Sequence, residues 1–211
     1  MHFLIEMLCK KKSTTVKIAL SMIIAFFCVS ISIYHKKEFL LEMTPLQACR
    51  SMYSVNPFPE SVEIAQYIKT HTRKNDKIAV IGSEPQIYFY SDRPAATGFI
   101  YMYPLMENHE FALQMQKKMI YEIESNPPEY IIFLRHQLSW LVRPDSHELI
   151  FKWFEAYRNK SYEMVGLVDM GEEKTLYSWA PDLKWPPSSS YWVAILKRKV
   201  IQKYPPSQQM Q

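Results

Sequence analysis

Glycine is scarce in this chain. There are four in 211 residues, Gly82, Gly98, Gly166 and Gly171. No two stand close enough to build the side-chain-free loop that lets a backbone cradle phosphate, which excludes a P-loop and a dinucleotide fingerprint. Cysteine is equally sparse. Cys9, Cys28 and Cys49 all precede the expected globular domain, and none forms a Cys-x-x-Cys spacing. Neither a zinc site nor a redox motif is indicated; the thiols read as incidental, with a Cys49 bridge to a partner as the other reading. No pair among the six histidines has metal-ligand spacing on a helix, and no Gly-x-Ser-x-Gly elbow is present. The net charge is only +4, much of it in Lys10, Lys11, Lys12 and in Lys197, Arg198, Lys199. No basic stripe suits a nucleic acid, so no nucleic-acid partner and no cofactor are expected.

What is present is apolar material in helical and strand patterns. Hydrophobic residues make up 48% and charged residues 22%, enough for a packed core. Ile18 to Tyr34, IALSMIIAFFCVSISIY, carries neither charge nor proline. It is long enough to cross a bilayer with its flanks snorkelling. A signal peptide is the rival reading. Ser30-Ile31-Ser32 is a weak cleavage site, which favours an uncleaved anchor. Lys10, Lys11, Lys12 and Lys17 outweigh Lys36 and Lys37, placing the amino terminus in the cytoplasm and the rest outside it. The expected arrangement is a cytoplasmic segment 1–17, a transmembrane helix 18–34, a stalk or interfacial helix 35–54, an extracytoplasmic domain 55–200 and a flexible tail 201–211. That describes a single-pass protein of the cell (inner) membrane with the lipid bilayer as a partner.

Within the domain, Pro59 to about Thr72 reads as a helix with Ile64, Ala65 and Ile68 buried. Lys77 to Gly82 (KIAVIG) and Tyr130 to Leu134 (YIIFL) read as buried strands, with Ile78, Val80, Ile131 and Phe133 in the core. Pro85 to Ser91 suggests a short helix, Thr97 to Tyr103 an alternating strand, and Glu107 to Ser125 a long helix. Asp145-Ser146-His147-Glu148 fits a capping box opening another helix. Tyr162 to Met170, Lys174 to Ala180 and Tyr191 to Lys197 read as antiparallel strands, the first two joined by a Gly171-Glu172-Glu173 turn. The expected fold class is α/β: one transmembrane helix, then a mixed sheet with helices packed on it and an antiparallel carboxyl-terminal part.

Ligands of open α/β sheets bind beyond the carboxyl ends of strands, so Ser83 and Glu84 are the best-placed polar pair, although Glu84 also reads as a cap or rim charge. Arg135 and His136, with Arg143 nearby, suit an anionic group such as a lipid phosphate; the plainer reading is solvated loop charge. Tyr88, Phe89, Tyr90, Phe99, Tyr101 and Tyr103 would give a stacking surface for sugar or lipid, or more simply core.

Several segments in order carry a resemblance: Asn56-Pro57-Phe58-Pro59-Glu60, IAVIGSEP at 78–85, QIYFYSDR at 86–93, Ala96-Thr97-Gly98, and YMYPLME at 101–107. From about Leu46 to Lys199 the chain resembles the carboxyl-terminal extracytoplasmic domain of bacterial glycosyltransferase family 39 proteins. These are polytopic relatives of the dolichyl-phosphate-mannose protein mannosyltransferases and the aminoarabinose transferases. The resemblance implies sugar transfer from a polyprenyl-phosphate carrier, with the catalytic carboxylate in a first extracytoplasmic loop that has no counterpart here, so no catalytic residue is carried over. The expectation is a truncated or split product, or a stand-alone relative of the domain. As part of a glycosyltransferase it would be accessory and inactive alone, with a polytopic glycosyltransferase part or a polyprenyl-phosphate sugar as partner. As a stand-alone protein it would be a membrane-tethered binding module. An independent hydrolase using Ser83 or Glu84 has the least support.

Overall fold

The computed structural model describes residues 14–171 and 174–200, and the chain divides between Met52 and Tyr53 into two units. In the first, helix α1 runs from Thr14 to His35. At about 1.5 Å rise per residue, 22 residues reach roughly the 30 Å of a hydrocarbon core. The helix is long and apolar enough to cross a membrane, and a signal sequence has the same character. Two of its serines return their hydroxyls to the helix itself, Ser21 to the Lys17 carbonyl and Ser32 to the Cys28 carbonyl, both at 2.9 Å. A hydroxyl satisfied in this way needs no water. A single wide turn at Glu38–Glu42 follows, then helix α2, Pro45–Tyr53. Thr44 and Gln47 start α2 by a reciprocal capping box. The Thr44 N–H donates to Gln47 Oε1 at 2.8 Å, and the Gln47 N–H donates to Thr44 Oγ1 at 3.3 Å.

The second unit is a five-stranded mixed sheet with helices on both faces. Its elements in chain order are α3 (Phe58–His71), β1 (Ile78–Ile81), α4 (Gln86–Ser91), α5 (Tyr103–Met106), α6 (Ala112–Ser125), β2 (Tyr130–Arg135), α7 (Gln137–Trp140), α8 (Leu149–Ser161), β3 (Tyr162–Met170), β4 (Thr175–Trp179) and β5 (Trp192–Arg198). The strand order is β1-β2-β5-β3-β4, with only β1 and β2 parallel. Residues of β1, β2 and β5 are shared between two cores, one on each face of the sheet. Ala79, Ile81, Ile131 and Leu196 pack with Met119, Ile123, Ile150 and Phe154 from α6 and α8. Ile78, Val80, Ile132 and Ile195 pack with Ile64 and Ile68 from α3 and Ile87 from α4. Burying each large aliphatic side chain contributes about 1.5–3 kcal/mol. Phe133 is only partly buried and stacks on Phe154 at 4.5 Å between centroids.

Three expectations change. Thr97–Tyr103 is not a strand. Side chains take its backbone donors before a neighbouring strand can. Gly98 N–H binds the Glu122 carboxylate at 2.9 Å, Phe99 N–H binds Thr97 Oγ1 at 3.1 Å, and Met102 N–H binds Ser83 Oγ at 2.9 Å. The aromatic group is not core throughout, since Phe89, Tyr90 and Tyr101 are exposed. Finally, α6 and α8 start later than their sequence patterns suggest. Asp145 caps nothing at the start of α8; the buried Gln116 does that work from α6, its Oε1 accepting Ile150 N–H at 3.0 Å and its Nε2 donating to the Leu105 and His147 carbonyls. The Glu172-Glu173 turn and the 201–211 tail lie outside the described residues. The strands flanking the turn do pair, Met170 opposite Thr175.

β1 lies at the sheet edge yet is buried at all four residues. Its outward backbone groups are closed by the segment after it: Ile78 N–H to Pro94 O at 3.0 Å, Ala96 N–H to Ile78 O at 2.9 Å, and Val80 N–H to the Tyr88 hydroxyl at 2.7 Å. Replacing Tyr88 with Phe keeps the ring and strands the Val80 N–H in an apolar setting. Chemical denaturation should record a loss of about 1–3 kcal/mol. An unchanged midpoint would show that this edge is closed some other way.

Candidate functional site

The carboxyl ends of the two parallel strands carry most of the polar groups singled out in the sequence. β1 runs into Gly82-Ser83-Glu84, and β2 runs into His136 and the short helix α7. Ser139 on α7 joins the two ends. Its hydroxyl accepts the Ser83 N–H at 2.9 Å and donates to Glu84 Oε2 at 2.8 Å. No periodic pattern marks a lone serine in a four-residue helix, so sequence reasoning missed it. Gly82 makes room for this junction. A Cβ there would lie 2.5 Å from Glu84 Oε2, 2.6 Å from Ser139 Oγ and 2.8 Å from a Leu134 methyl.

Glu84 is buried, and that burial pushes its carboxyl up to about 7 against the pull of the Ser139 and Ser83 hydrogen bonds. It therefore changes near neutrality between an acceptor-only carboxylate and a carboxylic acid that also donates. A cavity of about 230 Å³ opens beside it, lined by Pro57, Ser83, Glu84, Gln86, Tyr101 and Tyr103 among others. The two tyrosine rings lie 4.4 Å apart. The Tyr103 hydroxyl donates to the Leu138 carbonyl, and burial pushes it up to about 12. Ser83, Glu84 and Tyr101 thus share one pocket.

Arg135 and His136 line a different one. This second cavity, of about 380 Å³, is walled mostly by apolar side chains, including Trp140 and Phe151. His136 is 3% exposed, and burial lowers its pKa. Neither of its ring nitrogens has a partner among the described residues. Each buried polar atom left unmatched costs about 1–3 kcal/mol, so these two call for an explanation. Arg135 is exposed, while Arg143 pairs with Glu107 at 3.8 Å and joins neither pocket. At the opposite end of β2 two more cavities, of about 300 and 500 Å³, share Pro127, Glu129 and Arg198. Their polar groups are already engaged, Arg198 with Glu129 at 2.8 Å and Lys77 with Asn126 at 2.7 Å.

Among the described residues no cluster of three His, Cys, Asp or Glu side chains offers a metal site. No family model, curated protein or solved structure matches this chain.

The raised Glu84 carboxyl has a consequence for stability. Between about pH 4.5 and 7 the folded state holds a proton on Glu84 that the unfolded state has released. Its contribution to stability therefore falls as pH rises through that window and is level outside it. Glu84→Gln mimics the protonated form, so the variant should gain melting temperature relative to the natural chain on going from pH 5 to pH 7.5. A constant difference across that range would show that Glu84 is not held protonated.

Proposed function

We propose that this chain is a membrane-tethered module of a sugar-transferring membrane system, and that it recognises a polyprenyl-phosphate-linked sugar without transferring it. The observation that supports this reading is the pocket at the end of β1. A sugar offers hydroxyls for a carboxyl and a serine, and flat C–H faces for aromatic rings. Glu84 and Ser83 supply the first, and the paired Tyr101 and Tyr103 supply the second. Glycoside hydrolysis ordinarily uses two carboxyl groups flanking one bond, and this pocket is lined by one, which speaks against a hydrolase. The resemblance to the terminal domain of glycosyltransferase family 39 proteins supports the same assignment. An apolar α1 would tether the chain to the bilayer from which the carrier's headgroup emerges. The domain then acts as an accessory to a polytopic glycosyltransferase at the inner membrane.

Two expected outcomes test this. The full chain in lipid nanodiscs should bind a polyprenyl-phosphate mannose and show no turnover toward acceptors. Glu84→Gln and Tyr101→Ala should each weaken binding roughly tenfold. Turnover lost on Glu84→Gln would instead make the chain an enzyme in its own right, and binding untouched by both substitutions would place the sugar elsewhere. The second outcome concerns topology. With Lys17 and the basic residues before it on the cytoplasmic side, a reporter fused after Lys199 should work only in a form active outside the cytoplasm. Cytoplasmic activity at that junction would reverse the orientation.

A further inference from the structure

The cavity at the end of β2 takes no part in the sugar reading, yet it is the better built of the two. His136 lines it, its imidazole tilted against Tyr191 at 4.8 Å between ring centroids. The ring is almost wholly withdrawn from solvent, and both nitrogens are closed off and lack a partner among the described residues. A histidine that merely filled space here would be better replaced by an aromatic ring, because an imidazole presents a donor and an acceptor that want matching. Around it Phe133, Leu134, Trp140, Val142 and Phe151 give an apolar wall. Arg135, next to His136 in the chain, lines the same cavity and is exposed. An unmatched buried hydrogen-bonding group, a wall of rings and methyls, and a guanidinium without a carboxylate partner among the described residues are complementary to one kind of molecule. The volume, about 380 Å³, lies within the range of small-ligand pockets.

We infer that this cavity is a binding site for a small amphipathic anion: an apolar, ring-sized body seated on Trp140 and Phe151, hydrogen-bonded to a His136 imidazole that turns one of its closed-off nitrogens toward it, with one phosphate or carboxylate held by Arg135. Arginine meets such groups with two parallel hydrogen bonds, which fixes the orientation of the body in the pocket. The anion can come free from solution or as the head of a lipid, and the same chemistry serves both. The site is separate from the Glu84 pocket, so either can fail without the other.

The test uses the full chain in phosphatidylcholine nanodiscs, labelled with 15N-histidine, with phenyl phosphate and benzoate as probes. The His136 signal is assigned by its loss in His136→Phe. Either probe should shift that signal saturably, while inorganic phosphate alone should not. Arg135→Gln, at an exposed position that leaves the fold intact, should weaken the response roughly tenfold. His136→Phe keeps the flat shape, removes the unmatched nitrogens and should raise the melting temperature of the unliganded chain while abolishing probe-induced stabilisation. A second set of nanodiscs containing phosphatidic acid separates the sources. A His136 shift there without added probe identifies a lipid headgroup, and a shift only with free probe identifies a soluble ligand. An unmoved His136 signal in every arm, an equal response to inorganic phosphate, or an undiminished response in Arg135→Gln would each overturn the assignment.

Discussion

A strand at the edge of a sheet must do something with the backbone groups on its open side, and β1 must do it without water. It is buried on both faces, so each outward N–H and C=O needs a partner from the protein. The segment from Tyr88 to Ala96 provides them. That segment is fixed in turn by Arg93, whose guanidinium donates to the Lys69 and Thr72 carbonyls at the end of α3 and to the Ser91 and Asp92 carbonyls at the end of α4. Its Nε reaches Thr72 Oγ1 at 2.7 Å. One cation thus closes two helix ends, where carbonyls lack partners and the helix dipole favours positive charge. The position of Glu84 follows from this closure, because the chain between β1 and α4 is held at both ends.

The parts of the fold that were legible are those in which burial repeats. β1 and β2 are continuous apolar runs, and α3 carries Ile64, Ala65 and Ile68 on one stripe. Of the antiparallel trio, β3 and β5 likewise carry continuous buried runs, from Gly166 to Met170 and from Val193 to Leu196. What was illegible rests on single polar side chains that replace a backbone partner. Glu122 holding Thr97 and Gly98 turns an alternating sequence into a loop, and Gln116 starts a helix from a neighbouring one. Neither has a local signature, since donor and acceptor are 24 or more residues apart.

The same distinction runs through the site. Position at a strand end marked Ser83, Glu84, Arg135 and His136 correctly as strand-end residues, yet it did not separate them into two pockets. That division comes from α7, which runs from Gln137 to Trp140. Ser139 faces the β1 end through Glu84, while Trp140 lines the β2 cavity and donates its indole N–H to the Leu134 carbonyl at 2.9 Å. Helix α7 closes on Leu141 in the left-handed region, at φ 51°. A branched side chain there costs about 1–2 kcal/mol. The short helix thus ends on a residue held in a costly backbone conformation.

Gly82 ties this arrangement to the history of the sequence. A methyl group at position 82 collides with the carboxylate at 84 and the hydroxyl at 139 at once. The three positions therefore cannot drift independently. A lineage that shortened residue 84 would relieve one of these collisions and leave Ser139 without its acceptor, but alanine at 82 would still need Ser139 and Leu134 to give way. A lineage that retained glutamate would retain glycine with it. Divergent copies of this domain should sort into two groups at these positions, and membership would report, without any assay, whether the carboxyl end of β1 is still under selection for what it holds.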